Sequence, residues 1–324
     1  DEITNDEITN DEITNDEITT IVFPACGQNS LYVLGALKSL HEKKYWHNEN
    51  IKEIFATSSG SILGMIVLLN IDLSLITHYF VCRPWERLMP SKKNFVYNLF
   101  GSGILKKDLI EAVFDPLFRM CDIGLDITML ELYNKTNIIF NIYATALEEF
   151  TPEKITHETH PNIRVIDAIY MSCSIPVLLE PIMYKNKYYI DGAIFNGNPK
   201  THVDKKEKNK TLAFTFSSCG YYEYTKPIEE QNYITPYILF KKIISGVILT
   251  FKNTNKPVSI KNEVKLNWIR EETVYDYKSW LNFFYNKEDR RIKISIGEEY
   301  GLLLIQGKKV SSQLLDKFKS NKDL

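Results

Sequence analysis

The sequence has no surplus of either charge: 39 Lys and Arg stand against 41 Asp and Glu, a formal net charge of -2. That balance argues against nucleic acid as the main partner, because phosphate binding leans on a basic excess. It leaves lipid open, since contact with a bilayer surface is driven by apolar area as well as by charge. No run reaches the ~18 uninterrupted apolar residues of a membrane-spanning helix; the nearest, Tyr237 to Phe251, is broken by Lys241 and Lys242. A signal-peptide pattern is also missing, the first twenty residues being polar and acidic. The five cysteines, Cys26, Cys82, Cys121, Cys173 and Cys219, are odd in number and show no C-x-x-C spacing. They read as reduced thiols and offer no zinc site. These absences lead to the expectation of a cytoplasmic or peripheral membrane protein without a transmembrane helix.

What is present is the balance of an ordinary globular chain, 44% hydrophobic and 25% charged over 324 residues, enough to bury a full core. Residues 1–17 fall within four copies of an acidic pentapeptide, DEITN or DEITT. Its five-residue period fits neither helix nor strand and reads as a disordered tail. Strand and helix patterns then alternate. Ile18 to Phe23 is β-branched and apolar, Ser30 to Glu42 has helical spacing, and Ile51 to Ala56 is a short apolar strand. Ser59 to Leu69 is so apolar that a helix there must be buried on nearly all sides. Ile104 to Met120 is amphipathic, Ile138 to Ala146 reads as a strand, Ile166 to Ser174 as a helix and Tyr188 to Ile190 as a strand; Leu212 to Phe216 is one more core strand. The alternation predicts an α/β fold with a single domain and a mostly parallel central sheet carrying helices on both faces. Residues 18–215 would form its core, and residues 216–324 a helical and strand extension packed on it, with helices over Tyr233 to Lys252 and Ser311 to Phe318.

Three places carry chemistry. Ala56-Thr57-Ser58-Ser59-Gly60 lies where a strand turns into the apolar helix, close to a G-x-S-x-G elbow with Ala at the first glycine. A serine there projects its hydroxyl above the sheet edge, and the helix N-terminus behind it favours a developing negative oxygen. An ordinary helix N-cap explains the same serine when it is taken alone. Ala25-Cys26-Gly27-Gln28-Asn29-Ser30 is a tight strand-to-helix loop whose backbone N–H groups can converge on one spot. Such oxyanion donors are worth ~2.7–4 kcal/mol each. A nucleotide phosphate loop is the competitor, but it wants an acidic residue at the end of the second strand, and Ala56-Thr57-Ser58 stands there. Asp191-Gly192-Ala193 closes the Tyr188 to Ile190 strand, where an Asp-Gly turn has structural uses of its own.

Loop, serine turn and Asp-Gly-Ala occur in that order, and with them the chain resembles the patatin-like phospholipase family from about Ile21 to Lys200. Ala144-Thr145 with Leu147, Asp167-Ala168 through Ser172-Cys173-Ser174-Ile175-Pro176, and Leu132-Tyr133 are similar to further family segments. The resemblance implies the patatin-like relative of three-layer α/β hydrolases. It further implies a lipid acyl hydrolase that cleaves fatty-acyl esters of a phospholipid or glycerolipid at a membrane or droplet surface. By the same resemblance Ser58 is the nucleophile and Asp191 its base, through an acyl-serine intermediate. Cys26, Gly27 and Gln28 line the oxyanion hole; no cofactor or metal is implied. Histidine, the usual base of serine hydrolases, occurs at His41, His47, His78, His157, His160 and His202, none of them in a motif. Ala25, Ser30 and Ala56 replace family glycines, which keeps a second reading alive: a weak or inactive relative that binds lipid or a partner. Cys26, if exposed, would let an oxidant or alkylating agent block the loop. For Phe80 to Leu88, centred on Trp85, membrane docking and core packing are equally weighted.

Overall fold

The computed structural model describes residues 17–89, 105, 108–176, 178–216, 243–244, 246–248, 250–251, 258–266 and 277–308. The acidic repeat up to residue 16, most of the expected helix over Tyr233 to Lys252, and the one over Ser311 to Phe318 lie outside the described residues. The strands are β1 (Thr20–Phe23), β2 (Glu53–Thr57), β3 (Ile139–Ala146), β4 (Thr151–Ile155), β5 (Ile182–Tyr184), β6 (Lys187–Asp191), β7 (Thr211–Phe216) and β8 (Asn262–Leu266). The helices are α1 (Ser30–Glu42), α2 (Ser59–Leu69), α3 (Leu73–Cys82), α4 (Asp108–Met120), α5 (Met129–Thr136) and α6 (Val165–Cys173). After them come α7 (Ala193–Asn196), α8 (Tyr277–Tyr285) and α9 (Lys287–Ile305). Local chemistry sets several boundaries. Asp72 caps α3 through the Ser74 and Leu75 amides, and Thr128 with Glu131 closes a capping box on α5. Every residue of α2 except Ile62 is buried, as its composition requires.

The eight strands form one mixed sheet in the order β5-β6-β3-β2-β1-β7-β8, with β4 also paired to β3. β1 with β2, β2 with β3, β1 with β7 and β7 with β8 are parallel, whereas β3 with β4, β3 with β6 and β5 with β6 are antiparallel. Helical segments lie on both faces. The larger core collects β-strand side chains with those of α1, α2, α4 and α6. On the other face Val22, Phe55, Tyr143 and Ala213 pack under Val203 and Ile260.

The sequence pattern places Asp191 at the end of a parallel strand; the structure corrects this. β6 runs antiparallel to β3 and reaches the serine turn from the opposite direction. β4 occupies one side of β3 from Ile142 to Ala146. The other side is therefore shared: β2 pairs with Ile139 through Tyr143, and β6 takes over from Ala144 to Ala146. Thr57 stands opposite Tyr143 and Asp191 opposite Ala144, so the two strands meet head to head. This junction positions the site.

One further expectation is narrowed. Trp85 is 1% exposed and its indole N–H donates to the Phe80 carbonyl, so this side chain packs in the core. β8 extends the sheet beyond β7, and α9 packs along α1.

Candidate active site

Ser58 sits between β2 and α2 with φ 55° and ψ -134°, a positive-φ conformation that a non-glycine residue adopts only under constraint. The constraint is visible. Its backbone N–H donates to Ser172 Oγ at 2.8 Å, and its carbonyl accepts from the Ser61 N–H at 2.7 Å and Ser61 Oγ at 2.6 Å. Gly60 lets α2 start against β1: a Cβ there would lie 2.7 Å from the carbonyl oxygens of Phe23 and Pro24. Ala56 and Thr57 are fully buried at the end of β2, and the N-terminal end of α2 lies directly behind Ser58.

Ser58 Oγ donates to Asp191 Oδ2 at 2.6 Å. The second carboxylate oxygen accepts the Ala193 N–H at 2.8 Å. The Asp191 backbone is tied down too, its N–H to the Ser174 carbonyl at 2.9 Å and its carbonyl to Thr145 Oγ1 at 3.0 Å. Gly192 passes so close to β3 that a Cβ would meet the Tyr143 carbonyl oxygen at 2.2 Å. Asp191 is 3% exposed. Burial pushes its carboxyl up to about 7, although the bonds from Ser58 and Ala193 pull the other way. An aspartate in this setting is a far better proton acceptor near neutrality than one in water.

The loop before α1 forms the 3-10 turn Gly27–Asn29, with Gly27 at φ 52°. Cys26, Gly27 and Gln28 are all buried. Gly27 N–H donates to no protein acceptor among the described residues. The Cys26 N–H, in contrast, donates to Ser59 Oγ at 3.2 Å, and the Cys26 thiol touches the same oxygen at 3.2 Å. Burial raises this thiol to about 12, so the exposed, reactive cysteine considered from the sequence is not found. Ala25 and Ser30 sit at the two ends of the turn, with the Ala25 N–H bonded to the Gly197 carbonyl at 2.7 Å.

Ser58, Ser59, Gly27 and Gln28 line one cleft with an internal volume of about 80 Å³. Its walls include Leu31 and Leu34 of α1, Leu63 of α2, Phe80 of α3, Val113 of α4 and Phe283 of α8. No described lining residue carries a charge. None of the six histidines lines the cleft or bonds to Ser58 or Asp191. His202 instead stacks on Tyr143 at 4.6 Å, and His160 contacts Thr159. A carboxylate, a hydroxyl bonded to it, nearby backbone donors and an apolar slot can together support acyl transfer without imidazole.

Sequence reasoning does not assign Ser172 a role. Its hydroxyl accepts from Ser58 N–H and donates to the Tyr143 carbonyl at 2.5 Å, bolting the elbow to β3. The Ser172-Cys173-Ser174 segment is visible as a motif, but its partners are not. The aromatic wall from α8 is missed as well, although Trp280, Phe283 and Phe284 are a dense cluster in the sequence.

Comparison with known proteins shows what the chain is similar to. The family model described as "Patatin-like phospholipase" matches residues 21–203. "Probable lipid hydrolase 463L" of Invertebrate iridescent virus 6 is 27% identical over 200 residues, covering 59% of this chain and 67% of the viral protein. "Uncharacterized protein R571" of Acanthamoeba polyphaga mimivirus is 25% identical over 187 residues, covering 57% of this chain and 61% of its own length. Among solved structures, VipD from Legionella pneumophila aligns with a TM-score of 0.48 at 12% identity, covering 90% of this chain and 67% of VipD. The type III effector ExoU of Pseudomonas aeruginosa aligns with a TM-score of 0.45 at 11% identity, covering 89% of this chain and 53% of ExoU. No helix among the described residues is long and apolar enough to cross a membrane.

Proposed function

The chain belongs to the patatin-like phospholipase family, and from that premise we propose that it is a lipid acyl hydrolase working through a Ser58–Asp191 dyad. The observation that carries the reading is the 2.6 Å bond from Ser58 Oγ to Asp191 Oδ2, with Ser58 lining an apolar cleft. Ionised Asp191 takes the hydroxyl proton as Ser58 Oγ attacks the ester carbonyl of a phospholipid or glycerolipid. The Gly27 and Gln28 amides and the N-terminal end of α2 stabilise the oxyanion in this reading. Collapse of the tetrahedral intermediate breaks the ester C–O bond; the alcohol or lysolipid leaves with the proton held by Asp191. A water then attacks acyl-Ser58 and gives its proton to Asp191; the acyl–Oγ bond breaks, Asp191 passes the proton to Ser58 Oγ, and the fatty acid departs. Cys26 contributes to the oxyanion site only if Ser59 Oγ first releases its N–H.

The raised carboxyl of Asp191 supports this chemistry, because a base near pH 7 loses less driving force against an alcohol than an ordinary aspartate. Residues 18–215 carry the site in this reading, with residues 216–324 as an extension packed on them. The test is hydrolysis of a chromogenic fatty-acyl ester by wild type beside Ser58→Ala. Wild-type turnover that disappears in the variant supports the proposal. A folded wild type without turnover on any acyl ester leaves the alternative, a lipid- or partner-binding relative.

A further inference from the structure

The family match ends at residue 203, yet the cleft opening on Ser58 is walled by residues far beyond it. Trp280, Phe283 and Phe284 of α8 line it together with Trp85 and Phe80. α8 packs against both the Gly27–Asn29 turn and the Trp85–Leu88 turn. It therefore reaches the loop beside Ser58 and the aromatic cluster at the end of α3. Phe284 is 1% exposed and meets Phe283 edge-on at 5.3 Å, and Phe283 lies 6.1 Å from Trp85.

The end of this helix is fixed by a buried cation. Arg290, 3% exposed, donates to the Phe283 carbonyl at 2.6 Å, the Phe284 carbonyl at 3.2 Å and the Val81 carbonyl at 3.0 Å. These are among the last carbonyls of α8 and α3, which have no partner within their own helices. One guanidinium thus ties two walls of the cleft to each other. A charge so deeply buried is costly to keep, and here it holds two helix ends at a set separation.

Resting on the acyl-hydrolase reading above, we propose that α8 is the acyl-chain determinant. Phe284 and Trp280 supply the wall on which the distal methylenes of a long fatty-acyl chain lie, so chain-length preference is set outside the family region. Each methylene in such contact is worth about fourfold in affinity. A short chain ends before it gains that contact.

The experiment compares kcat/KM for p-nitrophenyl decanoate and p-nitrophenyl butyrate in wild type, Phe284→Ala, Trp280→Ala and, as a control away from the cleft, Phe150→Ala. The decanoate-to-butyrate ratio should fall about tenfold or more in the two α8 variants and stay within about twofold in the control. A ratio that stays within about twofold of wild type in both α8 variants, or that rises, overturns the proposal. A second readout needs no turnover: in a Ser58→Ala background, binding of the fluorescent fatty acid cis-parinaric acid should weaken about tenfold on adding Phe284→Ala. If that weakening is seen while wild type hydrolyses no ester, the hydrolase reading fails and the slot stands. Ser58-dependent hydrolysis with no α8 dependence sinks the slot alone.

Discussion

Ser172 holds Ser58 in place: its hydroxyl accepts the Ser58 backbone N–H at 2.8 Å and donates to the Tyr143 carbonyl at 2.5 Å. Both bonds are buried, and together they connect the strained elbow to β3. Ser172→Ala leaves a buried N–H and a buried carbonyl without this partner, a loss of about 1–3 kcal/mol. Thermal unfolding of the variant should fall by several degrees. Its kcat should drop by about tenfold or more with KM little changed, because the residue orients the proposed nucleophile and touches no substrate. Wild-type kcat in Ser172→Ala would show that the elbow needs no such bolt.

The pH dependence follows from Asp191. Its carboxyl, raised by burial to about 7, must be ionised to accept the serine proton. Activity should therefore rise with pH and reach half its plateau near pH 7. A profile flat from pH 5 to 8 would place the base elsewhere.

Stability should move the other way. Asp191 has a folded-state value above its ordinary 3.8, so its stabilising contribution is complete below about pH 4 and is lost as pH rises through about 7. Asp191→Asn removes the buried charge and keeps an acceptor for the Ala193 N–H. At pH 8 the variant should be more stable than wild type by a few kcal/mol, since each tenfold difference in proton affinity between folded and unfolded chain is worth about 1.4 kcal/mol. It should lose activity at the same time. Denaturant unfolding at pH 5 and pH 8 measures the stability of both proteins; equal stabilities at pH 8 contradict this account.

Much of this fold was legible in the residues. α1 and α2 fall on the expected spans Ser30 to Glu42 and Ser59 to Leu69, because their apolar spacing and their flanking turns leave few alternatives. The Ser58 and Asp191 motifs stood out for the same reason, each being a short polar break at the end of an apolar strand. The direction of β6 was not legible. A strand of five residues carries no mark of whether its neighbour is parallel, and only the register against Ala144 reveals it. α9 was hidden by its own packing: Arg290 and Lys293 are buried and break the apolar stripe, and Gly297 lies where a Cβ would meet the Tyr32 carbonyl at 2.0 Å. Backbone contact between helices has no hydrophobic signature in sequence.

Cys26 is sealed, its thiol raised to about 12 and fully buried against Ser59. Iodoacetamide at about pH 7.5, well below that value, should leave it unmodified in the folded protein, as read by peptide mass spectrometry, while partly exposed Cys82 reacts. Rapid alkylation of Cys26 would mean that the loop before α1 opens readily.

Arg290 anchors the C-terminal helices to the rest of the core. Arg290→Met removes the bonds to the Val81, Phe283 and Phe284 carbonyls and should cost about 3 kcal/mol in denaturant unfolding. A loss below about 0.5 kcal/mol would assign the clamp no weight in holding the fold.

The most direct test of the Ser58–Asp191 account is labelling with a fluorophosphonate, which reacts with a serine hydroxyl activated as a nucleophile. Intact-protein and peptide mass spectrometry should find one adduct on Ser58 in wild type, none in Ser58→Ala, and labelling slowed by about a hundredfold or more in Asp191→Asn. Adduct formation on another residue, or labelling of Asp191→Asn at the wild-type rate, would contradict it.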